Sequence, residues 1–176
     1  KGYQIVLMGD AALSVVKLDG VILYCKSKIQ SVVNDSILIK NCNFYIGNSS
    51  GPMVNAPFYH KPQLLLNAMC LATLFSQENQ RVLPKTITKD GKSLTIRELF
   101  ESPIYYFDSN VEFDRLGYKY QDNSEEEIYE SVLEFEKLVE SNDFSLTNKQ
   151  EIFKKNIKSY HMGAYIFKGF LCNHIL

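Results

Sequence analysis

Apolar and polar residues fall in blocks along this chain, and the blocks predict its elements. Tyr3 to Met8 is a short, nearly continuous apolar run closed by Gly9 and Asp10, as expected of a buried parallel strand. Val21 to Cys25 is a second such run, entered through Asp19-Gly20. Ser31 to Cys42 predicts a helix, with Val32, Val33, Ser36, Ile37 and Lys40 at helical spacing. Phe44-Tyr45-Ile46 predicts a third strand, which runs straight into Gly47-Asn48-Ser49-Ser50-Gly51. A short helix from Pro52 to His60 and a fourth strand from Gln63 to Asn67 come next. Strand, helix, strand, helix, strand at this spacing predicts βαβ units, hence a Rossmann-like α/β fold with a parallel sheet flanked by helices.

Beyond the fourth strand the pattern weakens. Gln77-Glu78-Asn79-Gln80-Arg81 is polar, and Pro84, Asp90 and Gly91 break up the rest of the segment, so residues 69–92 read mostly as loop. Thr95 with Glu98 forms the pattern of a capping box that opens a helix through Glu101, stopped at Ser102-Pro103. Ile104-Tyr105-Tyr106-Phe107 reads as another strand. The clearest helix opens at Ser124, where Glu127 completes a second capping box and Glu125 and Glu126 oppose the N-terminal dipole. Ile128, Val132, Phe135 and Val139 form its apolar stripe. Its seven Glu residues read as a solvated face. The tail then turns basic at Lys149, Lys154, Lys155 and Lys158, with Phe153, Ile157 and Tyr160 available to line one helical face. Ordinary packing explains that pattern, and peripheral contact with a membrane surface is the alternative. The expected division is a Rossmann-like domain over residues 1–145, incomplete at its N-terminus, and a helical extension over residues 146–176.

Composition narrows the function. The chain has 176 residues, 45% of them hydrophobic, enough for one domain with a sizeable core. Nineteen Lys and Arg against 20 Asp and Glu leave a net charge of -1. A nucleic-acid binder needs a basic surface to displace counterions, so that class is disfavoured. Cys25, Cys42, Cys70 and Cys172 form no C-x-x-C pair, which argues for free thiols rather than zinc or a disulfide framework. No apolar stretch has the ~18 residues of a membrane-spanning helix. The chain opens almost directly on an apolar strand, without Met, and closes on apolar residues, as expected of a piece of a longer protein.

One segment has the composition of a binding turn. Gly47-Asn48-Ser49-Ser50-Gly51 comes after an apolar strand and precedes the predicted helix. Helix starts carry unpaired N–H groups and partial positive charge, glycines admit close approach to the backbone, and Ser hydroxyls add donors. Pro52 suits the first helical turn. At the carboxyl end of a parallel strand, such a turn is a seat for phosphate or pyrophosphate, and a plain capped turn is the alternative. The same residues match G-x-S-x-G, the nucleophile elbow of serine hydrolases. Ser49 would then be the nucleophile, with Asp108 or Asp114 and His161 or His174 completing the order. Phosphate-loop, dinucleotide and H-E-x-x-H zinc motifs are absent from the sequence.

Several blocks resemble one family. Gly2 to Asp10, GYQIVLMGD, is similar to the GYxVIRMGD segment of a group of bacterial glycosyltransferases of the GT-B type. Phe44 to Gly51, FYIGNSSG, resembles their FFIGTSSG turn, and Phe58-Tyr59-His60-Lys61-Pro62 their LFGKP. Leu83-Pro84-Lys85 and Leu94 to Leu99 resemble later blocks, so the similarity runs from residue 2 to about residue 140. The resemblance implies the C-terminal, nucleotide-sugar-binding half of a two-domain enzyme, whose N-terminal domain is the missing partner. It implies transfer of a sugar from a nucleotide-diphosphate donor to a glycan or lipid-linked acceptor, in the cytoplasm or at the inner face of the membrane, as in surface polysaccharide synthesis. Donor-diphosphate contacts would fall on Gly47, Asn48, Ser49, Ser50 and Gly51, with Gly9 on a neighbouring loop and His60 and Lys85 as further contacts. No metal or other cofactor is implied, and the general base is expected on the other domain. Leu7 replaces the family's Arg, Asn48 its Thr and His60 its Gly. The first departure leaves open a non-catalytic nucleotide-sugar-binding domain, and an epimerase-like relative shares the fold.

Overall fold

The computed structural model describes residues 2–10, 12, 18–69, 77–106 and 109–151. It is a mixed α/β structure in which parallel strands are flanked by helices, as the order of the blocks predicts. Strand β1 (Ile5–Val6) pairs in parallel with β2 (Val21–Ile22). Helix α1 (Val32–Asn41) starts where Ser31 accepts a hydrogen bond from the Asn34 amide, a regular N-cap. Strand β3 (Tyr45–Gly47) leads into a 3-10 turn (Gly51–Val54) and the short helix α2 (Asn55–Phe58). The helix expected over Pro52 to His60 is therefore split, and its first turn is wound more tightly. Strand β4 (Gln63–Ala68) then lies parallel to β3, with Tyr45 opposite Gln63 and Gly47 opposite Leu65.

Residues 69–92 depart from the loop reading. Gln80–Pro84 is a strand, β5, parallel to β4 and buried along its whole length. Its polar start misleads because those side chains find hydrogen-bond acceptors inside the protein. The Gln80 amide donates to Gln63 Oε1 at 2.5 Å, and the Arg81 guanidinium donates to the carbonyls of Glu78, Gln80 and Phe144 at 2.8–2.9 Å. Strand β6 (Thr86–Lys89) and strand β7 (Lys92–Ser93) form a hairpin. Asp90 and Gly91 both take positive φ at its tip, which a two-residue hairpin turn requires.

Thr95 and Glu98 form the predicted capping box on helix α3 (Ile96–Glu101). The strand expected at Ile104 to Phe107 is instead a 3-10 turn, Pro103–Tyr106, and Phe107 lies outside the described residues. Pro103 fixes φ near a helical value, and the turn buries Ile104 and Tyr105 while leaving Tyr106 exposed. Helix α4 (Asn110–Arg115) and strand β8 (Tyr118–Gln121) come next, and β8 pairs antiparallel with β6. The third sheet, in the order β7-β6-β8, is thus antiparallel, an addition to the all-parallel arrangement expected. Helix α5 (Glu125–Ser141) has the capping box at Ser124 and Glu127 and ends at Asn142 in the left-handed conformation. Phe135 is buried at the centre of its stripe.

The core lies between the carboxyl half of β4 and β5 on one side and α3, α4 and β8 on the other, around Leu65, Val82, Leu83, Ile87, Leu99 and Phe113. Asn67 closes it. This residue has φ 51 inside β4, where the register shifts, so the strand bulges. Its amide donates to Asn123 Oδ1 and the Asn123 amide donates to Asn67 Oδ1, both at 2.7 Å. Asn123 Nδ2 also donates to the Pro84 carbonyl at 2.7 Å, tying the start of α5 to both strands. Residues 148–151, with Lys149, begin the expected extension in helical conformation, and residues 152–176, with Lys154, Lys155 and Lys158 of the basic tail, lie outside the described residues. Among the described residues no helix is long and apolar enough to cross a membrane. Asn123→Ala leaves the Asn67 amide and the Pro84 carbonyl without this partner, so urea unfolding should show a loss of roughly 2–3 kcal/mol. A change below about 0.5 kcal/mol would show that the clamp holds nothing.

Candidate functional site

The pairing of β3 with β4 fixes where the Gly47–Gly51 turn sits. Gly47 is the last residue of a parallel strand, so the turn emerges at the carboxyl edge of the sheet, where α/β folds place ligands. Asn48, Ser49, Ser50 and Gly51 are all exposed. The Ser50 amide donates to the Asn48 carbonyl at 2.8 Å, and the Met53 amide donates to the Ser50 carbonyl at 2.9 Å. From below, the Gln63 side chain donates to the Met53 carbonyl at 2.6 Å. The turn is thus fixed by its own backbone and by a buried glutamine, while its outer side chains face solvent.

The two glycines are there for different reasons. A Cβ on Gly51 would meet nothing within 4 Å, so space beside the turn is open. A Cβ on Gly47 would lie 2.5 Å from the Tyr45 hydroxyl and 2.7 Å from its ring carbon. Close approach at Gly47 is therefore by the protein's own phenol, which corrects the expectation that both glycines make room for a ligand. Burial raises the Tyr45 phenol above its ordinary pKa, and a hydrogen bond with the Ser50 side chain pulls the other way.

The remaining predicted residues are distributed around the sheet. Gly9 lies just beyond β1 at φ 129, a value that favours glycine, and its carbonyl accepts from Gln30 Nε2 at 2.5 Å. Tyr3 and Phe44, which precede β1 and β3, touch edge to face at 5.3 Å. Lys85 lies just after β5 at the same carboxyl edge as the turn, two strands or roughly 10 Å across the sheet. Its ammonium is engaged with Asp122 at 2.7 Å and lies 4.2 Å from the centre of the Tyr120 ring. His60 is elsewhere. It precedes β4, whose start pairs with the start of β3, so it stands at the amino edge, opposite the turn. There it lines an open cleft of about 890 Å³ with Glu78, Asn79, Phe144 and Glu151. The structure does not bring His60 to the residues with which the resemblance associates it.

A nucleophile elbow needs a strained residue at its tip. Among the described non-glycine residues, left-handed backbone occurs at His60, Asn67, Asp90 and Asn142, and Ser49 is not one of them. Asp114 is exposed on α4, which packs on β8, while Asp108, His161 and His174 lie outside the described residues. Cys25 is buried and Cys42 half-buried, both as free thiols, and burial pushes the Cys42 thiol up. Cys70 and Cys172 lie outside the described residues. Among the described residues no three His, Cys, Asp or Glu side chains are grouped to hold a metal ion.

Tyr45 is the residue of this site that reading the sequence as elements misses. The signal is present: residues two apart on a strand share a face, so Tyr45 and Gly47 pair a long polar-tipped ring with an empty position. No family model matches the chain, and no curated protein or solved structure matches it. The difference between the glycines is measurable. Gly47→Ala should cost roughly 1–3 kcal/mol by forcing the phenol aside, as overpacking does. Gly51→Ala should stay within about 0.5 kcal/mol of the parent in the same unfolding assay.

Proposed function

We propose that this chain is the donor-binding half of a glycosyltransferase of the GT-B type. It would take a sugar from a nucleotide-diphosphate donor and pass it to a glycan or lipid-linked acceptor held by a second domain. The observation that carries the reading is the Gly47–Gly51 turn: solvent-exposed amide and hydroxyl side chains, open space at Gly51, and a position at the carboxyl edge of a parallel sheet. The blocks that resemble the family support it. In this reading Asn48, Ser49 and Ser50 hydrogen-bond the diphosphate, a charge-assisted contact that needs no metal to hold the leaving group. Lys85 adds positive charge at the same edge, shared with Asp122. His60, at the opposite edge, takes no part. The general base belongs to the second domain, and no residue of this chain is assigned that role.

A second reading, a nucleotide-sugar-binding domain without turnover, is favoured by Leu7. The family's Arg is missing there, and the Leu7 amide and carbonyl are committed to the pairing of β1 with β2 and the segment after it. An amide NMR titration of the labelled chain with UDP, GDP, CDP and TDP tests the shared claim. One nucleotide should shift the amides of residues 47–51 more than any others. Ser50→Ala should weaken that binding by about tenfold, as expected for one hydrogen bond to a charged group. A well-dispersed spectrum that none of the four nucleotides moves would overturn the donor site.

A further inference from the structure

Exposed apolar side chains cluster at one end of α1. Among the described residues Val32, Phe58, Val111, Val33 and Ile29 are the most exposed large apolar side chains, at 66–82%, and three of the five fall within residues 29–33. Single exposed apolar residues are ordinary, whereas a group of them marks a surface that meets something apolar. Ile37, four residues after Val33, extends the group along the outer face of the helix, while Ile39 and Asp35 Oδ1 are buried on the inner one. Ile29 is held out by its own backbone: its amide donates to Ser27 Oγ at 3.2 Å and its carbonyl accepts from Asn34 Nδ2 at 2.6 Å.

Lysines border this tip. Lys26 and Lys28 are exposed in the same turn, and Lys40 is exposed at the far end of the helix. Asp10 is exposed nearby, with Oδ1 accepting from the Ala12 amide at 2.7 Å. Charge along the chain is divided in the same sense. Residues 1–62 carry six Lys against three Asp, and residues 63–151 carry nine Lys and Arg against 17 Asp and Glu. The tip also lies on the rim that holds the Gly47–Gly51 turn. It follows the carboxyl end of β2, and Gln30 Nε2 donates to the Gly9 carbonyl beyond β1 at 2.5 Å. The contact of Tyr3 with Phe44 sets the starts of β1 and β3 side by side, and α1 carries the chain back from this rim to β3.

We propose that the Lys26–Val33 segment docks on an anionic phospholipid surface, its isoleucine and valines entering the headgroup layer and its lysines meeting lipid phosphates. Like charges disfavour the other occupants within reach, since the tail with Lys154, Lys155 and Lys158 and a second copy of the same tip are both lysine-rich. Docking here brings the rim of the turn to the bilayer and selects the lipid-linked acceptor over a free glycan, a consequence that rests on the donor-site reading above.

Flotation of the whole chain with phosphatidylcholine vesicles, with and without phosphatidylglycerol, tests this. The chain should float only with the anionic vesicles, and salt should release it. Val33→Asp and Lys28→Glu should each weaken vesicle binding by about tenfold while the thermal unfolding midpoint stays put. Tyr129→Asp, at an exposed position on the acidic α5, should change nothing. A chain that ignores anionic vesicles would overturn the docking. So would vesicle binding that survives both tip variants and is lost from the combined Lys154→Gln, Lys155→Gln and Lys158→Gln variant, which assigns the contact to the tail. A dimer that Val33→Asp disperses in sedimentation velocity would give the tip to a second copy instead. The nucleotide titration is read apart from these. Vesicle binding by a chain that takes none of UDP, GDP, CDP and TDP would overturn the donor site and leave the docking, and the reverse result would overturn the docking alone.

Discussion

A line of buried amides joins the sheet to the turn it carries. Gln80 on β5 donates to Gln63 on β4, and Gln63 donates in turn to the Met53 carbonyl in the 3-10 turn. Both glutamines are almost completely buried, so each bond stands where water cannot replace it. Gln80 Oε1 has no hydrogen-bond partner among the described residues, which makes this junction a costly one and dependent on correct alignment. With β5 placed by Gln63, Arg81 can reach the Phe144 carbonyl beyond α5 and lie over the Phe144 ring at 5.5 Å. The pairing of β4 with β5, the approach of the chain after α5 and the angle at which the turn leaves β3 thus share one polar seam.

Edges of a parallel sheet are chemically unlike, and this explains how the candidate residues divide. The carboxyl edge holds the exposed turn, and Lys85 is tethered to Asp122 beside it. The amino edge holds His60 and a cleft with two glutamates. A ligand at the turn is met first by hydroxyl, amide and backbone groups, with a lysine whose charge is already shared.

Much of this was legible in the sequence where local chemistry and global position agree. The caps at Ser31, Thr95 and Ser124 mark helix starts because their hydrogen bonds are made within four residues. The strands β1 to β4 stand out as short apolar runs, although only β4 is largely buried and Ile5 and Ile22 of the first pair are exposed. Strand β5 hides because its polar residues find partners on distant segments, which one-dimensional polarity does not reveal. The β6–β7 hairpin was marked by Asp90-Gly91, a pair that signals reversal more specifically than loop. At Pro103 to Tyr106 aromatic and β-branched residues suggest a strand, but proline begins a helical turn. The Gly47–Gly51 turn was visible as a composition, but the space beside Gly47 filled by Tyr45 was not, since Tyr45 reads as one more strand residue until the empty position at Gly47 is set beside it. His60 was misplaced because adjacency in a motif ignores strand direction: the residue before a parallel strand belongs to the other rim.

The bulge at Asn67 bears on how the chain finds its register. Alternation makes a one-residue slip of β4 exchange its inner and outer faces, an error that an apolar strand resists less than an alternating one. The left-handed residue and its reciprocal bond to Asn123 can form in only one alignment. A slipped sheet would present the wrong backbone groups to the start of α5, and that helix could not dock. The asparagine pair therefore ties the register of β4 to the docking of α5, so that one alignment of a short parallel sheet satisfies both.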